Sequence, residues 1–262
     1  MTAAALMLAI ASLGPVVLRG SSQPDERNIV NIDLRGIELA SPGADPTLLG
    51  WEHIKLVTGD DAPRAEPYTR LADDAWRARS RILRGDARFA APLLERLTRE
   101  LHNVRSPTAL LAFAGLARAR ADERDLPAAI TAWQRAAELH AQGVRLDPDA
   151  ASAIHFDQST GYITDLPAFW FARGEAADRD DFLSLINRAL ADDPAARSAA
   201  RSQLRETLPA SHNTWREAWT RAALGRSYLR EKDAEPRTLG LLELLHLPAR
   251  FANDQPILTS LA

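Results

Sequence analysis

At 262 residues the chain has room for one large domain or two small ones. Its 46% hydrophobic content excludes global disorder, and a net charge of −3 with a pI near 6.1 argues against nucleic acid as the main partner. Cysteine is absent, which excludes disulfides, thiolate nucleophiles and Cys-based metal sites. Lysine occurs only at Lys55 and Lys232, and the near-exclusive use of arginine reads as genome composition before it reads as a binding signature.

The chain opens apolar, from Ala3 to Leu13 and again from Val16 to Leu18, with Gly14-Pro15 as a break. An uninterrupted membrane-spanning helix needs roughly 20 apolar residues, and this run is shorter. Ala9-x-Ala11 and Gly20-x-Ser22 place small residues at cleavage-type spacing. Residues 1–22 therefore read as a secretory signal peptide or apolar leader, although no Lys or Arg precedes the run. The expectation is export to the periplasm or cell envelope, with no integral membrane span in the mature chain. The alternative is a cytoplasmic protein that keeps this run as an N-terminal helix or membrane-associated tail.

Residues 23–60 read as a small β meander. Val30, Ile32 and Leu34 alternate with Asn31, Asp33 and Arg35, the strand period, and Ile37 and Leu39 continue it past Gly36. Ser41 to Pro46 is turn chemistry, and Leu49, Trp51, Ile54, Leu56 and Val57 suggest one or two further strands. A sheet of about three strands is too small to stand alone, so it must pack on the segments C-terminal to it.

From Pro67 the period becomes helical. Leu71, Ala75, Ala78 and Ile82 share a face; Gly85 ends that helix, and the next runs to about His102. Ser106-Pro107 is a capping hydroxyl followed by proline at the first helical position. That helix ends near Asp122, and its partner runs from about Pro127 to Gly143. Residues 144–172 interrupt the helices with turn signals at Asp147-Pro148 and Ser159-Thr160-Gly161, then the aromatic run Phe169, Trp170, Phe171. Helices resume through Phe182, Leu185 and Ile186, restart at Asp193-Pro194, and open again at Thr214 with a capping-box pattern to Glu217. A last helix is expected over Arg237 to Leu247, ended by Pro248.

The spacing within these helices carries a resemblance. Phe113-x2-Leu116-Ala117 followed by Ala129-x3-Trp133-x2-Ala136 resembles the two helices of a tetratricopeptide repeat, with Arg120 where that pattern prefers Tyr. Leu224-Gly225-x2-Tyr228 resembles a first helix, with a weaker second helix in which Arg237 takes the Ala slot and Leu241 and Leu244 fit. Ala78, Ala90, Leu94 and Leu97 match over 71–102, with Arg77 in the Leu slot. The similarity to tetratricopeptide-repeat proteins covers roughly 70–250, and the leader–meander–repeat order is similar to exported bacterial repeat proteins. The resemblance implies a mainly α fold: an irregular α-solenoid of helical hairpins over 67–262, with a small N-terminal antiparallel β meander and a non-helical insertion at about 144–172. It also implies a protein- or peptide-binding scaffold rather than an enzyme.

In such repeats the first helix of each hairpin lines the concave surface. Arg79, Arg118 and Arg226 each follow a small-residue slot, so the resemblance implies a row of guanidinium groups suited to an acidic peptide or the free C-terminus of a polypeptide. Solvated or internally paired arginines are the competing reading. Trp170 is the remaining candidate contact, because three adjacent aromatics cannot all face one core; the rings either pin the loop or meet a ligand.

No cofactor, metal set or catalytic motif is expected. The six histidines are scattered, and His155 with Asp157 supplies only two ligands. There is no His-Glu-x-x-His, nucleophile elbow, phosphate-binding loop or dinucleotide fingerprint. The rival to the scaffold is an enzyme, or an accessory module of one, whose pocket forms between the 144–172 insertion and the helices.

Overall fold

The computed structural model describes residues 16–21, 23–166 and 181–262. These form two compact units, one ending at Gly161 and the other beginning at Tyr162. The described residues are mainly helical, with a small antiparallel sheet region near the N-terminus.

The first unit opens with β1 (Val16–Leu18), β2 (Pro24–Asp25), β3 (Asn28–Asp33), β4 (Gly36–Ala40), β5 (Thr47–Leu49) and β6 (Ile54–Val57). The expected meander is present as the antiparallel sheet β3-β4-β5, with Ile32 opposite Ile37 and Ile37 opposite Leu49. Alternation places Ile37 and Leu39 inside, both fully buried.

A second sheet lies beside the meander and draws in residues N-terminal to it. Its order is β2-β1-β6, so β6 leaves the meander to pair antiparallel with β1. Val16–Leu18, assigned from sequence to the leader, is the central strand of that sheet, and Val16 is fully buried. Just after β1, Arg19 Nε donates to Ile54 O at 2.8 Å, while its guanidinium pairs with Asp73 and covers the Trp76 ring. The remainder of the apolar run, residues 1–15, lies outside the described residues.

The first α-helix is the short α1 (Ala62–Ala65). Then α2 (Thr69–Leu83), α3 (Ala87–Glu100), α4 (Pro107–Asp122) and α5 (Leu126–Ala141) follow, each packed on the next. Their starts follow local chemistry: the Ser106 hydroxyl accepts from Ala109 N at 3.1 Å, and the Asp125 carboxylate accepts from Ala128 N at 3.3 Å. Every small or apolar slot named for the first two hairpins is buried except Leu116, which is partly exposed. Gly115 lets α4 approach closely, since a Cβ there would lie 2.7 Å from Ile82 Cδ1.

The insertion begins with α6 (Pro148–Ile154), which packs on α2 and α4, and β7 (Phe156–Asp157). The turn after β7 lies on α5: Trp133 Nε1 donates to Gly161 O at 3.0 Å and His140 Nε2 to Gln158 O at 2.9 Å. Gly161 has φ +77, and a Cβ there would meet His140 Nδ1 at 2.8 Å, so both the backbone and the ring contact need glycine.

The second unit contains β8 (Tyr162–Ile163), α7 (Asp181–Ala189), α8 (Pro194–Thr207), α9 (Trp215–Leu229), α10 (Ala234–Arg250) and α11 (Pro256–Leu261). Asp193 caps α8 through Ala195 N and Ala196 N, both at 3.1 Å. Trp219 is fully buried and donates Nε1 to Thr164 O and to Gln255 Oε1. Helices α9 and α10 cross at two glycines, where a Cβ on Gly240 would sit 2.7 Å from Gly225 O.

Three expectations change here. The last long helix runs from Ala234 to Arg250 and carries Pro248 inside it, and α11 follows. Its buried residues are Gly240, Leu244 and Leu247, whereas Leu241, expected in a packing slot, is 54% exposed. The capping box at Thr214 does not form: Thr214 Oγ1 donates back to Ser211 O, and Glu217 instead accepts from Asn213 N at 2.7 Å.

Candidate functional site

Arg79 and Arg118 lie in the first unit and Arg226 in the second. Arg79 projects from α2 into a bidentate pair with Asp147, Nε to Oδ2 at 3.0 Å and Nη2 to Oδ1 at 2.9 Å. Arg118 Nε meets Asp122 one turn along α4 at 3.0 Å. Arg226 is exposed on α9. The two arginines of the first unit are thus engaged by acids of their own unit. Trp170 lies outside the described residues, as do Phe169 and Phe171.

The Arg79–Asp147 pair belongs to a polar cluster. Asp147 also caps α6 through Ala150 N at 3.0 Å. His53 Nε2 lies 3.8 Å from Asp147 Oδ2 and 3.6 Å from Glu52 Oε1. Glu52 is buried, and its Oε2 accepts from Thr108 Oγ1 at 2.6 Å; that same Oγ1 accepts from Trp51 N at 2.8 Å. Burial pushes the Glu52 carboxyl above the ordinary range against the opposing pull of His53 and Thr108. Burial also presses Asp147 upward, but Arg79, the Ala150 N–H and His53 outweigh it and hold Asp147 low. A Cβ on Gly50 would sit 2.4 Å from Glu52 Oε1, so that glycine makes room for the carboxylate. The arrangement ties the turn after β5 to α2, α4 and α6.

His155 is the exposed left-handed C-cap of α6, at φ 60. Asp157 Oδ1 accepts from Ser159 N and Ser159 Oγ, a local turn. Among the described residues, no three His, Asp or Glu side chains are placed to hold a metal ion. Among them also, no helix is long and apolar enough to cross a membrane.

The surface feature that sequence reasoning missed is on α10. Gly240, Leu244 and Leu247 face α9, yet Leu241, Leu242 and Leu245 on the other side are 54%, 53% and 61% exposed. Thr238, Leu242, Leu245 and Ala249 follow the helical spacing, all exposed, so the row runs about 17 Å along the helix. Arg237 and Leu241 precede Leu245 on the same ridge, eight and four residues back. Two nearby charges are already engaged: Glu243 by Arg221 at 2.7 Å, and Arg250 by Glu217 at 2.6 Å. The signal was present in "TLGLLELLHLPA", which holds too many leucines for one helical face.

No family model matches the chain, and no curated protein or solved structure matches it either.

Proposed function

We propose that this protein is a protein-binding scaffold of the tetratricopeptide-like, irregular-solenoid kind, exported to the periplasm or cell envelope. Its contact surface is the leucine row of α10, and its occupant is a short amphipathic helix of a partner protein. The observation that carries the reading is the exposure of Leu241, Leu242 and Leu245 on a helix whose opposite face is already packed. An apolar ridge of about three turns suits recognition of a helix through side chains at i, i+3 and i+4. Three half-exposed leucines amount to roughly 300 Å² of apolar patch. That is well below the roughly 800 Å² per partner of a stable interface between folded proteins, which favours a peptide segment over a second copy. Arg237 at the head of the ridge has no acidic partner among the described residues and suits an acidic residue on the incoming helix.

The test compares the wild type with L242E/L245E. Crosslinking from position 241 in the native host should trap a partner in the wild type and lose it in the double variant, with the Tm unchanged. Binding of a synthetic helix from that partner should fall by at least tenfold. A wild-type dimer in light scattering that the double variant splits would assign the row to a second copy and overturn the peptide reading.

A further inference from the structure

The second unit holds a cavity of about 600 Å³ between the start of α7, the end of α8 and the first turns of α9. Its size falls in the range that small molecules occupy. The walls are apolar and aromatic. Leu185 and Ala210 contribute, and Phe182 meets Trp215 edge-on with ring centroids 5.9 Å apart. Arg216 spans both rings, its guanidinium carbon 5.3 Å from each centroid.

The polar lining has a definite sense. Three hydroxyls, those of Thr207, Ser211 and Thr214, already donate to backbone carbonyls: to Leu204 O at 3.0 Å, Leu208 O at 3.0 Å and Ser211 O at 2.6 Å. Their hydrogens are used. Thr220 differs. It lines the cavity, is 1% exposed, and its Oγ1 has no hydrogen-bond partner. Buried hydroxyls are normally paired, and an orphan one needs an explanation. Arg216 likewise has no acidic partner among the described residues. Residues 216 and 220 are one turn apart on the same helix face, about 6 Å along the axis. The cavity therefore offers two donors to an incoming molecule, a cation beside the aromatic walls and a neutral hydroxyl one turn further along α9.

From this we propose that the cavity binds a small hydroxylated aromatic carboxylate, whose ring lies against Phe182 and Trp215, whose carboxylate pairs with Arg216, and whose ring hydroxyl oxygen accepts from Thr220. This site is independent of the leucine row, because it takes a small molecule rather than a protein helix.

The probes are 6-hydroxy-2-naphthoate, 2-naphthoate and neutral methyl 2-naphthoate, titrated against the full-length protein by calorimetry and tryptophan fluorescence. Both acids should bind saturably, with the hydroxylated acid about tenfold tighter and the ester about tenfold weaker than 2-naphthoate. Arg216→Met keeps apolar cover over the rings but removes the charge; it should weaken both acids about tenfold and leave the ester unchanged. Thr220→Val is isosteric; it should abolish the preference for the hydroxylated acid and raise the Tm of the unliganded protein. The proposal is overturned if neither acid binds below millimolar concentration. It is equally overturned if the acids bind the Arg216→Met protein as tightly as the wild type, or if the hydroxyl preference survives in Thr220→Val.

Discussion

Arg250, near the end of α10, places Nη1 2.6 Å from Glu217 Oε1 in the first turn of α9, and so closes the second unit across 33 residues. Burial presses the Glu217 carboxyl upward, but the Asn213 N–H, Arg221 and Arg250 overcome it and hold the pKa at about 2. The folded value lies below the ordinary 4.5, so the ionised form stabilises the fold. That contribution is complete above about pH 5 and is lost as the pH falls towards 2. Glu217→Gln should cost on the order of 3 kcal/mol at pH 7, and should flatten the acid limb of the stability curve. Near-UV circular dichroism during denaturant unfolding from pH 2 to 7 checks this; an unchanged acid limb would refute the assignment.

Glu52 has the opposite sign. Its folded pKa is raised by burial, so the protonated form stabilises the fold. That contribution is present below the unfolded value and is lost as the pH rises through the folded one. Glu52→Gln carries no charge to desolvate and still accepts from Thr108. Its Tm relative to wild type should therefore be higher at pH 8 than at pH 4.5. Gly50→Ala, which forces a methyl against the same carboxylate, should cost about 1–3 kcal/mol at either pH. Differential scanning fluorimetry across pH decides both.

Arg79 and Arg118 share a sequence context and should behave differently. Removing Arg79 leaves Asp147, a partly buried carboxylate, without its bidentate partner. Arg79→Ala should cost about 1–3 kcal/mol. Arg118 holds a helical i,i+4 pair, so Arg118→Ala should cost under about 0.5 kcal/mol. Equal Tm values for the two variants would return Arg79 to the candidate ligand contacts.

The burial of β1 bears on how an apolar leader is processed. Cleavage after Gly20-x-Ser22 would remove the central strand of the β2-β1-β6 sheet, whereas cleavage after Ala9-x-Ala11 would keep it. A protein beginning at Ser12 keeps β1 and its pairing with β6. One beginning at Gln23 should melt at least 5 °C lower, since it exposes the edge of β6 and loses Val16 from the core. Mass spectrometry of protein from its own host should find an N-terminus before Val16. An N-terminus after Ser22 on a folded, stable protein would contradict the role of β1.

Much of the secondary structure was legible because its causes are local. Ser106-Pro107 and Asp193-Pro194 start helices by capping chemistry confined to four residues. The alternation from Val30 to Leu39 specifies two strands and a tight turn, and Ala78, Ala117 and Gly225 mark close helix contacts because only small side chains let helices approach. What sequence could not decide is non-local. Whether Val16–Leu18 is leader or strand depends on β6, close to forty residues away, and Arg79 is occupied because Asp147, 68 residues later, reaches it. On α10 the leucines surround the helix, so periodicity specifies no inner face; Gly240 does, by meeting Gly225 where the backbones nearly touch. The orphan hydroxyl of Thr220 was equally invisible, because a sequence states which polar groups exist and only the packed structure determines which ones lack a partner.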